Sequence, residues 1–366
     1  MDIVQITDTA SYGTPKAQEE TLVQCACEEG IVQIRRKSLG EPYELTLLPR
    51  APDLYIPRKT CRTTFSMDLL LALMERSDFA WLCDTVARHE TSTSETAILE
   101  RQLFGYSTPE DFAEKRLLDF GCGNGASTMT IGRLLPRTEV VGVELSPEKI
   151  EMANRIRAFR SLDNVKFLCS PSGSELPPGI GHFDFVMLSA VYEHLLPDER
   201  KVVMPRLWSA LKPGGMIFIN RTPYRYFPME IRRTGLWFVN YLPDRLAHAG
   251  VRCFAGRNKA INESGDWNVH LRGGLRGGTE REIVQNLTSG KEKCARIVQP
   301  RCNGVRDRAD FWLSSTNPNR HRRVKQWISW GFRLSDRLWG TVPSMWIEVV
   351  IQKECWTSYS AGLYPE

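Results

Sequence analysis

The strongest structural signal in the chain is the stretch LLDFGCGNGAST at residues 117–128. An apolar run of strand character leads into Gly121, Gly123 and Gly125, and a segment with helical periodicity follows. Glycine lets the backbone turn tightly and approach a ligand closely, and the start of the following helix offers free N–H groups. The GxGxG spacing differs from the GxGxxG of dinucleotide loops, which cradle a pyrophosphate. Asp119, at the end of the predicted strand, suits a ligand that carries a positive group.

A second acidic residue stands one strand–helix unit further along. Glu144 ends the apolar run VVGVE, and Leu145 follows it. An acid at the end of the second strand is placed to accept hydrogen bonds from two ribose hydroxyls, which is its role in nucleotide-binding folds. Taken by themselves, the glycines are also consistent with a turn that binds no ligand, and the acid is also consistent with a solvated side chain. The two features in succession predict a site for a ligand that contains a nucleoside.

Strand-like and helix-like segments alternate between residues 116 and 223. The strand candidates are KRLLDFG, TEVVGVELS, VKFLCS, HFDFVMLSA and MIFINRTP. The helical pattern PDERKVVMPRLWSALKPGG is predicted to end at Gly214, because glycine is typical of helix C-termini. This alternation predicts an α/β fold with a doubly wound, parallel sheet. Right-handed crossovers then place the loop after every strand at the same edge of the sheet.

The segments outside this region predict additions to the sheet. Residues 1–65 are predicted to form an N-terminal extension with a small β-ribbon, which includes the run DLYI, and residues 66–115 a helical segment. The sheet domain then takes residues 116–366, with a long insertion at about residues 224–278 after the fifth strand. Aromatic and arginine side chains are frequent in this insertion, which either lines a substrate pocket or packs as a structural element. CARIVQP and MWIEVVIQK are the last strand candidates.

Four motifs in this order resemble those of the class I S-adenosylmethionine-dependent methyltransferases. They are DFGCGNG at residues 119–125, Glu144, HFDFVMLSAVYEHL at residues 182–195 and LKPGGMIFIN at residues 211–220. A poorly characterised bacterial-type branch of the family resembles this chain in further segments. These are IPRKTCRTTFSMDLL and WLCDTVARHE upstream of the glycine loop, together with SAVYEHLLPDER and TPYRYFP. The resemblance implies a seven-stranded, mainly parallel sheet whose last strand, SMWIEVVIQK, is antiparallel. It also implies S-adenosyl-L-methionine as the cofactor. The same motifs conflict with the alternative that the protein is a nicotinamide-dependent oxidoreductase.

The resemblance also assigns expected roles to residues around the cofactor. Asp119 and the three glycines would hold the methionine end, and Glu144, followed by Leu145, would hold the ribose. The remaining expected contacts are Ser172 and Gly173 beside the adenine, and Ser189 and Tyr192 beside the sulfonium. Ser172 stands where the family usually has an acid, so adenine recognition departs from the family pattern.

His194 is the candidate general base, because its ordinary pKa lies near neutrality and a hydroxyl acceptor benefits from a base. The alternative is that the YEHL turn, which contains His194, serves packing. The favoured function is O-methylation of a small or medium acceptor, a metabolite or a glycan. Methylation of RNA or protein is the second reading, and a catalytically inactive cofactor-binding partner protein is the third.

Composition restricts partners and location. A net charge of +5 is too small for a dedicated nucleic-acid binder, and no CxxC pair points to a metal site. The absence of a signal-like N-terminus and of a run of about 18 apolar residues predicts a cytoplasmic protein. Residues 319–340 combine Arg and Lys with Trp327, Trp330 and Trp339. We expect this tryptophan stripe to be core, with peripheral membrane contact or base stacking as alternatives.

Overall fold

The computed structural model describes residues 2–4, 21–38, 40–52, 56–90, 93–254, 266–290, 294–316 and 320–354. Its central sheet consists of β6 (Arg116–Phe120), β7 (Glu139–Glu144), β8 (Val165–Cys169), β9 (Phe183–Ser189), β10 (Leu211–Pro223), β11 (Ala295–Val298) and β12 (Trp346–Lys353). The strand order is β11-β12-β10-β9-β6-β7-β8. β12 pairs antiparallel with β10 and β11, and the other neighbours pair in parallel. The predicted seven-stranded, doubly wound and mainly parallel sheet is confirmed.

The N-terminal extension is larger than the predicted ribbon. It is a five-stranded antiparallel sheet of β1 (Asp2–Val4), β2 (Thr21–Ala26), β3 (Gly30–Arg36), β4 (Tyr43–Pro49) and β5 (Lys59–Thr63). The polar sequence KTCRT concealed β5, and the predicted strand DLYI falls largely on residues 53–55, outside the described residues. The helices that follow are α1 (Met67–Arg76), α2 (Leu82–His89), α3 (Thr93–Phe104) and α4 (Pro109–Phe112). One hydrophobic cluster joins the N-terminal sheet, these helices and the central sheet.

Three helices connect the parallel strands: α5 (Ala126–Leu134), α6 (Pro147–Phe159) and α7 (Pro197–Ala210). The prediction that the last of them continues to Gly214 is wrong. Leu211 already pairs with Phe183 of β9, and the ladder resumes at Met216 after a register shift. The KPGG segment therefore runs along β9 as part of β10, since pairing with the neighbouring strand replaces the last helical turn.

The insertion after β10 includes regular helices. It contains α8 (Asp244–Phe254) and α9 (Trp267–Arg272), and residues 255–265 lie outside the described residues. Three further helices follow as α10 (Glu280–Thr288), α11 (Arg308–Ser314) and α12 (Arg322–Trp339). The prediction that the α12 tryptophans are core is wrong, because Trp327, Trp330 and Trp339 are 75%, 60% and 73% exposed.

Alternate residues of the central strands face two hydrophobic layers. Leu117 of β6 packs in one cluster and Leu118 in the other, as the period of two in a strand requires. α5 and α6 cover the first layer, and α7 and α10 cover the second. Both faces of the sheet are therefore buried. The loops that follow its parallel strands lie together at the carboxyl edge of the sheet.

Candidate active-site cleft

The glycine loop between β6 and α5 has a left-handed backbone at all three predicted glycines. Their φ angles are +75° at Gly121, +58° at Gly123 and +84° at Gly125, a region that residues with a side chain rarely adopt. A Cβ atom at Gly121 would lie 2.7 Å from Val191, and one at Gly125 would lie 2.4 Å from Phe167. A Cβ atom at Gly123 would meet nothing within 4 Å. Gly123 therefore borders open space, whereas the other two glycines make room for neighbouring side chains.

Glu144 lies at the end of β7 and reaches the glycine loop. One carboxylate oxygen accepts a hydrogen bond of 3.0 Å from the Gly123 N–H, and the other accepts one of 3.3 Å from Ser146 N–H. The side chain is 14% exposed. The two features that the sequence singled out therefore meet at one point at the carboxyl edge of the sheet.

Asp119 lies beneath the loop and is fully buried. Its carboxylate accepts hydrogen bonds from the hydroxyls of Ser127 at 2.9 Å and Thr128 at 2.6 Å, both at the start of α5. Burial raises the pKa of Asp119 to about 6, although the two hydroxyls oppose this shift by favouring the charged form. A cationic ligand above the loop would return this pKa towards its ordinary value.

The predicted adenine contacts Ser172 and Gly173 lie on the loop that follows β8, and Leu145 lies on the loop that follows β7. Leu145 is half exposed. The Ser172 hydroxyl lies 3.3 Å from that of Ser174 and donates to Glu175 at 3.2 Å, while a Cβ atom added at Gly173 would lie 4.0 Å from the Glu199 carboxylate. β7 and β8 are adjacent strands, so these residues lie on the far side of Glu144 from Asp119.

The structure does not bring Tyr192 to the loop edge, which corrects its expected position beside the sulfonium. Its side chain is fully buried, and its hydroxyl donates to Glu282 and accepts from Asn286, each at 2.9 Å. Both partners belong to α10. Sequence analysis could not detect this orientation, because an aromatic residue in a turn after a strand can point to either side of the sheet.

His194 is held by its neighbours at both ring nitrogens. Nδ1 lies 2.5 Å from the carbonyl oxygen of Arg272, and Nε2 lies 2.8 Å from the Arg232 guanidinium. This arrangement assigns the proton to Nδ1, since a carbonyl can only accept and a guanidinium can only donate. The lone pair that a general base needs is therefore engaged by Arg232. The geometry favours the packing alternative for this turn.

A cleft of about 750 Å³ opens above the glycine loop and is lined by Gly121, Gly123 and Ser189 among others. Sequence analysis did not predict the polar wall of this cleft. Its residues are Arg88 from α2, Arg101 and Gln102 from α3, Arg221 near the end of β10, Arg232 from the insertion and Glu348 from β12. Arg221 lies near the end of β10, the fifth strand of the central sheet along the chain, so strand order could have signalled it. The helical residues are distant in sequence from every motif and carried no signal.

Comparison with known proteins finds similarities in the central part of the chain. A family model described as a methyltransferase domain matches residues 118–217. The ubiquinone biosynthesis O-methyltransferase of Xanthomonas euvesicatoria pv. vesicatoria is 32% identical over 120 residues, which are 32% of this chain and 48% of that protein. The carboxy-S-adenosyl-L-methionine synthase of Hydrogenovibrio crunogenus is 30% identical over 107 residues, which are 29% of this chain and 41% of that protein.

Among solved structures, the plantazolicin methyltransferase BpumL in complex with SAH is 14% identical, with a TM-score of 0.41. The aligned region covers 78% of this chain and 94% of the BpumL chain. The chain spans less than half the length of the curated relatives named above. The matched family region ends within β10 and does not reach Arg221, Arg232 or Glu348. In the described part of the chain, no helix is long and apolar enough to span a membrane.

Proposed function

We propose that the protein, whose residues 118–217 match a methyltransferase domain, transfers a methyl group from S-adenosylmethionine to a hydroxyl of a small or medium metabolite or glycan. The observation that carries this proposal is the glycine loop that hydrogen-bonds to Glu144 beneath an open cleft. The space beside Gly123 fits a bound cofactor, since a Cβ atom there would meet nothing within 4 Å. S-adenosyl-L-methionine would supply an activated methyl group on its sulfonium.

The chain's own residues contribute binding and orientation. Glu144 is placed for the ribose hydroxyls, Asp119 for the ammonium of the methionine end, and Ser172 for the adenine side. Ser189 lines the cleft at the end of β9, which is where an acceptor approaching the methyl group would lie. Holding both reactants in this geometry supplies much of the rate enhancement in a displacement of this kind.

Glu348 is better placed than His194 to take the proton from a hydroxyl acceptor. It is the one acidic residue among the described residues that line the cleft. Burial raises the pKa of Glu348, and Arg101, 3.3 Å away, opposes that shift. A carboxylate with a raised pKa is a stronger base near neutral pH than an ordinary one. His194 would instead position Arg232.

Methyl transfer can be tested directly in cell extracts. We expect extracts incubated with methyl-labelled S-adenosylmethionine and the wild-type protein to yield a new labelled small molecule by mass spectrometry, and extracts with the Glu144→Ala variant to yield little or none. Label recovered in RNA or in protein would instead support the corresponding macromolecular acceptor. Cofactor binding without any labelled product would support an inactive cofactor-binding protein and contradict the proposal.

The affinity for S-adenosylhomocysteine is expected to rise with pH through the Asp119 pKa of about 6. The ligand's ammonium attracts the ionised carboxylate and not the neutral acid, so affinity should increase by roughly tenfold between pH 5 and pH 7 and then level off. Calorimetric titration at a series of pH values measures this. The Asp119→Asn variant serves as the control, and its weaker affinity should not depend on pH in this range.

The Asp119 carboxyl should have the opposite pH effect on the stability of the ligand-free protein. Its folded-state pKa lies above the unfolded value of about 3.9, so the folded state binds the proton more tightly. Stability should therefore fall as pH rises from about 4 to about 6, by on the order of 2–3 kcal/mol, and Asp119→Asn should abolish that component. A variant with unchanged pH dependence of both stability and affinity would remove Asp119 from the site.

We further propose that α12 attaches the protein to the surface of an anionic membrane. Its outward face carries Trp327 and Trp330, together with four other exposed apolar residues, Val324, Ile328, Leu334 and Leu338. The opposite side packs on the protein through Phe332, whose ring lies 4.9 Å from Trp312. The helix also carries five basic residues and one acid, Asp336, which pairs with Arg308 at 2.9 Å. An apolar face with tryptophan and a basic surround fits the interface of an anionic bilayer.

Trp330→Gln is expected to weaken binding to phosphatidylglycerol-containing vesicles at least about fivefold, since the apolar area that the indole buries in the interface is lost. Co-sedimentation measures the effect. The matched control is Trp81→Gln, because Trp81 is 61% exposed and Trp330 60%. Equal binding by both variants, or a wild-type protein that ignores vesicles and forms dimers on a sizing column, would contradict the membrane proposal.

A further inference from the structure

Arg221 occupies a backbone irregularity at the mouth of the cleft. β10 shifts register against β12 between Ile219 and Thr222, and Arg221 has a φ angle of +56°. A residue with a side chain rarely adopts this conformation outside turns, and such strain is concentrated at functional sites. The irregularity places Arg221 in the lining of the cleft, at the end of the strand adjacent to β9.

Arg232 is fixed in the same wall by the insertion. Its guanidinium lies 3.1 Å from the fully buried carboxylate of Glu193 and donates to His194 Nε2 at 2.8 Å. The Glu230 carboxylate accepts hydrogen bonds from the backbone N–H of Arg232 at 2.7 Å and of Thr234 at 2.6 Å. The turn that carries Arg232 is therefore held rigidly, and its guanidinium is oriented before any ligand arrives.

The cleft lining has more positive than negative groups. It contains four arginines and one acid, Glu348. Arg101 pairs with that acid at 3.3 Å, and Arg232 pairs with Glu193 behind the wall. Arg88 has no carboxylate within ion-pair distance among the residues that the structure describes. A concave surface with this charge excess attracts an anion.

Unpaired polar groups lie beneath this wall. Asn220 is 3% exposed, and neither atom of its amide has a hydrogen-bond partner within the described ranges. The Tyr106 hydroxyl is likewise buried and without a partner there. Both line a small cavity that shares Gln102 and Glu348 with the cleft. Buried polar groups without partners are costly, so they indicate an ordered water in this cavity of about 10 Å³.

We propose that the acceptor carries a carboxylate or phosphate group, which Arg221 and Arg232 bind on the β9–β10 side of the cleft. This inference rests on the proposed methyl transfer. Asp119 and Glu144 would hold the cofactor on β6 and β7, so Arg221 of β10 and Arg232 of the insertion lie on the side left for the acceptor. Guanidinium groups bind carboxylates and phosphates through charge-assisted hydrogen bonds.

Calorimetry with two anions tests the inference without a known substrate. With S-adenosylhomocysteine saturating, inorganic phosphate or succinate is expected to bind saturably to the wild-type protein. Arg221→Gln should weaken that binding at least about tenfold, and Arg221→Lys should restore part of it. Arg62→Gln is the matched control, because its side chain is 74% exposed and does not line the cleft. The preferred anion tells a carboxylate acceptor from a phosphate acceptor.

Three results would overturn the inference while leaving methyl transfer intact. The first is that neither anion binds. The second is that Arg221→Gln, with an unchanged melting temperature, binds both anions as the wild-type protein does. The third is that Arg221→Gln weakens S-adenosylhomocysteine but not 5′-methylthioadenosine, which lacks the carboxylate, because Arg221 would then hold the cofactor. Failure of the wild-type protein to bind S-adenosylhomocysteine would instead contradict the proposed function itself.

Discussion

Replacement of Glu144 by alanine is expected to weaken the binding of S-adenosylhomocysteine by roughly 10- to 150-fold. The carboxylate is placed to accept hydrogen bonds from two ribose hydroxyls, and hydrogen bonds to a charged group contribute about 1.5–3 kcal/mol. The same side chain accepts the Gly123 N–H at 3.0 Å. Its removal therefore loosens the loop as well as deleting the contact, so the upper part of the range is expected.

The measurement is a calorimetric titration of wild-type and variant proteins, each checked by a melting curve without ligand. Glu110→Ala serves as the matched control, because Glu110 is an exposed acid in α4, away from the cleft. It removes the same charge and should bind the ligand as the wild-type protein does. An affinity for Glu144→Ala equal to that of the control would show that Glu144 does not contact the ligand.

The proposed cofactor half of the site could be outlined from the sequence because its determinants are local in sequence. The loop 121–125 needs left-handed backbone, which glycine supplies, and Glu144 needs only the end of the next parallel strand. Strand order then brings the two together without any information from elsewhere in the chain. The same reasoning failed for the direction of the Tyr192 side chain, since packing against α10 decides it.

The proposed acceptor side could not be predicted because distant segments assemble it. Arg88 and Arg101 come from helices that precede the glycine loop, Arg232 from an insertion, and Glu348 from the last strand. No spacing in the sequence links them. The exposed face of α12 was misjudged for a related reason: amphipathic periodicity identifies an apolar face, but only the tertiary contacts show whether the protein or its surroundings cover it.

Gly123→Val is expected to reduce cofactor affinity by roughly 100-fold or more while leaving the protein folded. The Cβ atom would enter open space, with nothing within 4 Å, so the valine side chain clashes with the bound ligand and not with the protein. Overpacking an occupied site costs about 1–3 kcal/mol and sometimes more. Gly121→Val differs, because a Cβ atom there would lie 2.7 Å from Val191, and loss of stability would accompany loss of binding.

The backbone strain of valine at Gly123 needs a control of its own. Gly179 has a φ angle of +70° and, like Gly123, no atom within 4 Å of an added Cβ, but it precedes β9 and so lies at the opposite edge of the sheet. Gly179→Val therefore carries similar left-handed strain, on the order of 1–2 kcal/mol, without approaching the cleft. We expect the two variants to melt at similar temperatures and only Gly123→Val to lose the cofactor. Equal affinities would mean that the cofactor does not occupy the space beside Gly123, and the position of the site above the glycine loop would be wrong.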